Sequence, residues 1–424
     1  MDALDLLLLP ARPLKATCRV PSELDSVTSI GEEAIPSEIG ADAGAVGRVW
    51  AAAEALYRTG LYPAIQLCIR HRGQLAIHRA IGHASGNAPG DPRDGPRVPV
   101  TLDTPILIYS AAKAITGMVI HKLDEQRMLH LEDRICDYIP EFGAHGKQWI
   151  TIRHVLGHRA GIPNLPPGAM DLELLQDLER AIEILCASRP AFRPGRRLAY
   201  HAISGGFLLG EVVRRATGQD IRQVLRKEIV EPLGLRWMGY GVPAEDVSRV
   251  ARDAVTGLPV WPPFSWMFRR ALGTGFREAV ELANDPRFLT AIVPSANIVC
   301  TADELSRFYQ CLLDGGELDG VRVFDPRTIR HATTEETYWE LDLTLGLPLR
   351  YGLGFMLGGR IASLFGTRTP HAFGHIGFTH IFSWADPDRQ LAVALLTTGK
   401  PFLSLDVVRL LGLIREIGRA FPPV

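Results

Sequence analysis

The sequence predicts an α+β fold in which one antiparallel sheet is built from both ends of the chain and a mainly helical lobe is inserted between them. Strand-like runs occur early, at 64–70 and 75–81, and again late, at 379–385 and 391–397. The stretch from about 120 to 250 has mostly helical spacing with loops marked by proline. Because helices cover the faces of a sheet, this order favours a single sheet flanked by helices.

The same pattern predicts the domain organisation of the 424 residues. An irregular arm is expected over residues 1–42, and one large folded domain over 43–424. Within that domain we expect a sheet lobe at about 43–118 and 291–424, and a helical lobe at about 119–290. An apolar content of 46% is enough for a sizeable core in a chain of this length.

Individual elements can be placed in order. A helix is predicted at about 44–57, and the two early strands read as a hairpin joined by the turn 71–74. A helix at 302–313, a strand at 353–356 and a final apolar helix at about 404–417 follow.

The segment 255–290 is unusual because five aromatic residues occur among glycine and proline turn signals. Such residues usually belong to a core, but an aromatic segment can also be a lid over an apolar pocket. Trp261 and Trp266 are the candidates for lining that pocket.

Composition excludes several classes of protein. The formal net charge is −1, so no overall field favours nucleic acid or an acidic membrane surface. The six cysteines are scattered without a Cys-x-x-Cys pair, which argues against a zinc ribbon or a disulfide framework. The apolar N-terminus lacks the basic start of a signal peptide, and no apolar run reaches about 20 residues. We expect a cytoplasmic protein with reduced thiols and no integral membrane segment.

The strongest chemical signal is Ser110, followed three residues later by Lys113. The helical spacing after them places Ser110 near a helix N-terminus and both side chains on one face. A lysine amine kept out of water can be neutral and take the proton of a serine nucleophile. With six lysines and fifteen serines, chance predicts about 0.2 such pairs in the chain. The alternative is a capping serine followed by a surface lysine.

Two later stretches add candidate residues. Tyr200 lies where a loop meets a predicted helix, and its phenol could act as a base beside cations. His375 and Gly377 precede the strand at 379–385, where glycine permits close approach of another backbone. A backbone N–H there could complete an oxyanion hole with that of Ser110. The alternatives are a packed tyrosine and a core histidine.

Taken in order, these residues resemble the motifs of the serine β-lactamase and penicillin-binding protein superfamily. The resemblance covers roughly residues 45–400 and is strongest to class C β-lactamases and family VIII carboxylesterases. It implies a β-lactamase/transpeptidase-like fold with Ser110 as nucleophile and Lys113 as its proton-accepting partner. Tyr200 would be the general base for acylation and for the deacylating water.

The family's Lys-Thr-Gly motif corresponds to His375-Ile376-Gly377 in this sequence. His375 takes the place of that motif's lysine or histidine, and the oxyanion hole would be the N–H groups of Ser110 and Phe378. The family's separate Tyr-x-Asn motif is Tyr200-His201-Ala202 here, with Ala202 in place of the asparagine. Loss of that amide and of a fixed cation at His375 favours uncharged esters over β-lactams. The resemblance thus implies a serine carboxylesterase acting on a small-molecule ester, with no cofactor or metal; it leaves the oligomeric state open.

The residue patterns argue against two other classes of hydrolase and leave two alternative functions open. An α/β-hydrolase needs Gly-x-Ser-x-Gly, which no serine in the chain satisfies. His154 and His158 have the spacing of zinc ligands on a helix, but nearby glycines end that helix and favour a structural role. A β-lactamase or D-amino-acid peptidase or transesterase is the second enzymatic candidate. A β-lactamase-like binding or scaffolding protein is the non-enzymatic one.

Overall fold

The computed structural model describes residues 16–165, 172–402 and 406–423. The α-helices, in chain order, are α1 (Ala43–Tyr57), α2 (Ala112–Glu125), α3 (Ile135–Tyr138), α4 (Ile152–Leu156), α5 (Leu172–Gln176), α6 (Leu178–Ala187), α7 (Ser204–Thr217), α8 (Ile221–Leu225), α9 (Phe264–Leu272), α10 (Phe276–Ala283), α11 (Pro286–Thr290), α12 (Ala302–Leu313), α13 (Pro326–Thr333) and α14 (Val407–Ala420). The strands are β1 (Thr28–Ile30), β2 (Ala64–His71), β3 (Gln74–Ser85), β4 (Val98–Pro99), β5 (Ile106–Leu107), β6 (Gly239–Tyr240), β7 (Ala254–Val255), β8 (Ile298–Cys300), β9 (Glu317–Leu318), β10 (Val321–Arg322), β11 (Thr337–Leu341), β12 (Pro348–Tyr351), β13 (Met356–Leu357), β14 (Ala362–Ser363), β15 (Gly366–Thr367), β16 (Phe373–Gly377), β17 (Ile381–Asp386), β18 (Leu391–Thr397) and β19 (Gly399–Lys400).

The main sheet is antiparallel and has the order β1-β3-β2-β18-β17-β16-β13-β12-β11. Strands from the two ends of the chain meet where β18 pairs with β2, with Leu391 opposite His71 and Thr397 opposite Ile65. The predicted α+β fold, with one sheet assembled from both ends, is therefore confirmed.

The predicted hairpin is β2 and β3, and its turn explains its sequence. Arg72 and Gly73 both have positive φ, 52° and 80°, as a tight two-residue hairpin turn requires. Gly73 adopts this conformation freely, while Arg72 does so at some cost.

Helices cover both faces of the sheet. Along β2, Ile65 and Leu67 belong to the core that α1 and α14 share, whereas Ala64 and Cys68 face the core that contains α12. The central strands of the sheet are buried on both faces. β18 is therefore apolar almost throughout, and its residues do not alternate between apolar and polar. Helix α12 has the predicted bounds, and its N-terminus is closed by a capping box of Thr301 and Glu304.

Several predicted elements differ from the structure. Residues 16–42 of the predicted irregular arm include β1, which pairs with β3 at the sheet edge; residues 1–15 lie outside the described residues. The predicted strand at 353–356 is wrong, because Gly354 turns the chain with a φ of 100° and its backbone abuts Gly117 of α2. His375 and its neighbours form a strand of their own, β16.

Helices α3–α11 fall within the predicted helical lobe, together with the short strands β6 and β7. Helix α14 begins at Val407, and the predicted start at 404 lies outside the described part of the chain. Within the ranges that the structure describes, no helix is long and apolar enough to span a membrane.

Candidate active site

Ser110 lies in a short 3-10 turn, Tyr109–Ala111, between β5 and α2. No side-chain capping bond occupies its hydroxyl at this helix start. Tyr109 has a φ of 49°, a conformation that is unfavourable for a non-glycine residue and that clusters at functional sites. The turn therefore presents a half-buried hydroxyl at the positive end of α2.

A buried polar cluster holds this strained turn in place. The Tyr109 hydroxyl donates to Asp253 Oδ2 at 2.7 Å, and Lys400 Nζ lies 3.2 Å from Asp253 Oδ1. Lys400 also lies over the Tyr109 ring, 4.8 Å from its centre. Since Asp253 precedes β7 and Lys400 ends β19, which pair with each other, the cluster fastens the Ser110 turn to both segments.

Lys113 lies one helical turn beyond Ser110 and is buried. Its Nζ donates to the carbonyl oxygens of Ala202, at 2.8 Å, and Ser295, at 3.0 Å. It lies 3.3 Å from Ser110 Oγ and forms no ion pair with a described carboxylate. Burial without a counter-ion lowers the pKa of Lys113 from 10.5 to about 7. In the neutral amine both N–H bonds satisfy the two carbonyls, so the lone pair is left for the hydroxyl proton of Ser110.

Tyr200 lies on the other side of the amine. Lys113 Nζ is 4.8 Å from the centre of the Tyr200 ring, and the backbone N–H of Tyr200 donates to Asp342 Oδ1 at 3.1 Å. Burial raises the pKa of the Tyr200 phenol, and a hydrogen bond with the Ser110 hydroxyl opposes that rise. The phenol is therefore protonated at neutral pH and can donate a proton beside Ser110.

Strand β16 closes the site from the sheet side. A side chain at Gly377 would collide with the carbonyl oxygen of Ile108, so only glycine allows β16 to approach the Ser110 turn this closely. Phe378 follows in the next turn, and its ring stacks on Tyr109 with centres 5.4 Å apart. The Phe378 ring therefore packs against the residue that directly precedes Ser110.

Three buried histidines lie behind the site and stay neutral. The ring of His158 is 4.6 Å from that of Tyr200, and His375 is 6.2 Å from it. Burial lowers the pKa of His201 to about 4 and of His375 to about 3, and it lowers that of His158 well below its usual value. Lys113 is therefore the group of this cluster whose charge changes near pH 7.

Two cavities meet at Ser110. We name them the cleft, of about 160 Å³, and the apolar cavity, of about 70 Å³. Leu272 and Phe378 line both. Tyr200 and Gly377 line only the cleft, and none of the described residues that line either cavity is charged.

The sequence model of the β-lactamase family matches residues 51–412. The chain belongs to the β-lactamase family. It is 32% identical over 312 residues to "Esterase/beta-lactamase LipL" of Mycobacterium tuberculosis (strain ATCC 25618 / H37Rv), with 70% of each chain covered.

Two solved structures share the fold of this family member. A family VIII carboxylesterase superposes with a TM-score of 0.77 and 26% identity, covering 92% of this chain and all of the other. A penicillin-binding protein homolog from Caulobacter crescentus superposes with a TM-score of 0.75 and 27% identity, covering 89% and 98%. The predicted resemblance to this superfamily is confirmed.

The structure brings Ser110, Lys113 and Tyr200 together and lays Gly377 and Phe378 beside them. The other predicted site residues are placed elsewhere.

His375 is buried behind Tyr200 and lines neither cavity, because its side chain and that of the cleft-lining Ile376 point to opposite faces of β16. Trp261 and Trp266 are 60% and 65% exposed and line neither cavity. The cleft is lined instead by residues of the opposite face of α9, which include Met267 and Phe268.

Some contributors could not be recognised from the sequence. Ser295 acts through its carbonyl oxygen, which any residue could supply, and Asp342 is a single carboxylate in an otherwise ordinary loop. His158 has the spacing of a zinc ligand from His154, but α4 ends at Leu156, and among the described residues the two side chains are not combined in a metal site. Among the described residues no cluster of histidine, cysteine, aspartate and glutamate could hold a metal ion.

Proposed function

We propose that this member of the β-lactamase family is a serine hydrolase that cleaves carboxylic esters through an acyl-enzyme formed on Ser110. The observation that carries the proposal is the Lys113 amine, whose two carbonyl partners leave its lone pair for the Ser110 hydroxyl. The names of the relatives, an esterase/beta-lactamase and a family VIII carboxylesterase, agree with it.

Acylation follows from the contacts. Neutral Lys113 takes the proton of Ser110 as Oγ attacks the ester carbonyl, and the N–H groups of Ser110 and Phe378 receive the negative charge of the oxygen. When the C–O bond breaks, Tyr200 supplies the proton to the departing alkoxide. The proton that Lys113 took from Ser110 then passes to the Tyr200 phenolate, so both groups are neutral in the acyl-enzyme. Burial lowers the pKa of Lys113 and raises that of Tyr200, so Lys113 and not Tyr200 is unprotonated near neutral pH and accepts the first proton.

Deacylation uses the same groups in reverse. Water enters the place of the alcohol, gives a proton to the Tyr200–Lys113 pair and attacks the acyl carbonyl. The carboxylic acid leaves as Ser110 recovers its proton, so the enzyme returns to its starting state.

The two cavities suggest how an ester is oriented. Tyr200 must reach the leaving oxygen and lines only the cleft, so the alcohol occupies the cleft. The acyl chain then enters the apolar cavity, whose walls include Leu282 and Phe288. A β-lactam carboxylate finds no cation among the described residues lining either cavity, which favours uncharged esters.

We expect kcat/KM for p-nitrophenyl butyrate to exceed that for nitrocefin by at least about two decades. Ala202 replaces the asparagine of the family's Tyr-x-Asn motif, so a β-lactam loses the contact with that amide. Neutral His375 provides no cation for the β-lactam carboxylate. Each missing partner of a buried polar group costs about 1–3 kcal/mol, and 1.4 kcal/mol is one decade. Comparable or reversed values would favour the β-lactamase or D-amino-acid peptidase function.

Filling the apolar cavity should change acyl selectivity. In Ala279→Leu, the ratio of kcat/KM for p-nitrophenyl butyrate to that for acetate should fall roughly tenfold, because two methylenes lose burial worth about 0.8 kcal/mol each. Arg277→Leu places the same leucine side chain at an exposed position of the same helix, outside the cavity, and should leave the ratio unchanged. An equal fall for both esters in Ala279→Leu would place the acyl chain elsewhere.

A further inference from the structure

Helix α9 has large apolar side chains on its inner face and also on its outer face. Its inner face lines the cleft through Met267, Phe268 and Leu272, and Phe268 is in ring contact with Phe378 at 5.9 Å. Its outer face and the loop before it expose Trp266 by 65% and Trp261 by 60%. A nine-residue helix that covers a cleft needs only one apolar face, so the exposed tryptophans have no role in closing the site.

The outer face also carries positive charge. Trp266, Arg269 and Arg270 lie three and four residues apart and therefore share one side of α9. From Ala254 to Arg277 the sequence contains three arginines and no acidic residue. The nearest recorded carboxylate partner is Glu278, 3.8 Å from Arg269. We call Trp261, Trp266, Arg269 and Arg270 the tryptophan–arginine face.

A second segment exposes apolar side chains at the same cleft. Thr344 and Leu345, between β11 and β12, also line the cleft. Their neighbours Leu343 and Leu347 are 47% and 54% exposed. The cleft is thus bordered by two segments that expose apolar residues to solvent.

We propose that this border, with the tryptophan–arginine face as its centre, seats the protein on an anionic lipid–water interface from which ester substrates enter the cleft. Tryptophan prefers the interfacial layer, and arginine is attracted to anionic head groups. Pairing of two copies through this face would bring Arg269 and Arg270 of each copy together, which like-charge repulsion disfavours. Entry of a water-insoluble ester rests on the proposed function, whereas seating on lipid does not.

Seating is tested without hydrolysis, with Ser110→Ala protein and sedimenting vesicles of phosphatidylcholine alone or mixed equally with phosphatidylglycerol. We expect binding to the mixed vesicles and at least about tenfold less binding after Trp261→Ser with Trp266→Ser, or after Arg269→Gln with Arg270→Gln. Trp149→Ser is the matched control, because Trp149 is as exposed as Trp266 and lines neither cavity. No binding by the parent, or an equal loss in the control, would overturn the proposal.

The catalytic consequence is tested on protein with Ser110 intact. The double tryptophan variant should keep its rate on dissolved p-nitrophenyl acetate and lose most of the rate that the parent gains on emulsified tributyrin. Vesicle binding without any esterase activity would refute the proposed function alone. Activity without vesicle binding, or a dimer in gel filtration that the tryptophan variant abolishes, would refute the seating.

Discussion

Replacing Ser110 by alanine should abolish both ester hydrolysis and covalent labelling by a fluorophosphonate. The half-buried Ser110 hydroxyl lies 3.3 Å from the Lys113 amine, and no other described serine is recorded in contact with Lys113 through its hydroxyl. Loss of a nucleophile removes the whole covalent route, so we expect kcat to fall by at least about 10⁴-fold. Intact-mass analysis should show one adduct on the parent and none on the variant.

Ser363→Ala is a suitable control, because Ser363 is also half-buried but lies in β14, outside both cavities. It should keep the adduct and the activity. An adduct that persists in Ser110→Ala would remove the serine from its assigned role. Absence of any adduct on the parent would favour the non-enzymatic, binding function.

The pH dependence of kcat/KM should report the charge of Lys113. Since only the neutral amine can take the Ser110 proton, the rate should fall about tenfold per pH unit below its pKa of about 7 and reach a plateau above it. The neighbouring His158, His201 and His375 do not interfere, because their pKa values are lowered by burial. Lys113→Ala should reduce kcat by about 10²-fold or more and abolish the tenfold-per-unit fall in rate below pH 7.

Lys122→Ala tests whether any lysine of α2 would have this effect, since Lys122 is paired with Glu125 at 2.7 Å and lies away from the site. It should leave the pH profile unchanged. A second readout follows from linkage: with a folded pKa of about 7 and an unfolded value near 10.5, Lys113 binds its proton only in the unfolded chain between these pH values. Unfolding free energy should therefore rise with pH across this window by up to about 1.4 kcal/mol per unit, and this contribution should be missing in Lys113→Met. A profile that Lys122→Ala shifts as much as Lys113→Ala would contradict the assignment.

The elements that the sequence predicted well are those with strong local signals. Helix α12 has a capping box and helical spacing, and β18 is an apolar run bounded by turn residues, so both have their predicted bounds. The strand predicted at 353–356 was wrong because an apolar pattern does not reveal that Gly354 must turn the chain where it abuts Gly117. Contacts between distant segments, rather than propensity, decide such positions.

The candidate site likewise has contacts that local spacing predicts and placements that depend on how distant segments pack. Ser110 and Lys113 are joined by one helical turn, so their contact follows from spacing alone. The segment that contains Trp261 and Trp266 is unusual already in the sequence. Which face of α9 lines the cleft, however, depends on how that helix packs. In the structure Trp266 of α9 and Trp261 of the preceding loop are both exposed to solvent and do not line the cleft.

By itself the sequence determined that one sheet is built from both ends of the chain, that a serine–lysine pair is present, and that the chain belongs to the β-lactamase family. Only the tertiary structure decided the protonation states. Burial without a counter-ion lowers the pKa of Lys113, while burial raises that of Tyr200 and keeps His375 uncharged. These shifts arise because charge is costly away from water, and how far a side chain is removed from water depends on segments that lie hundreds of residues apart in the chain.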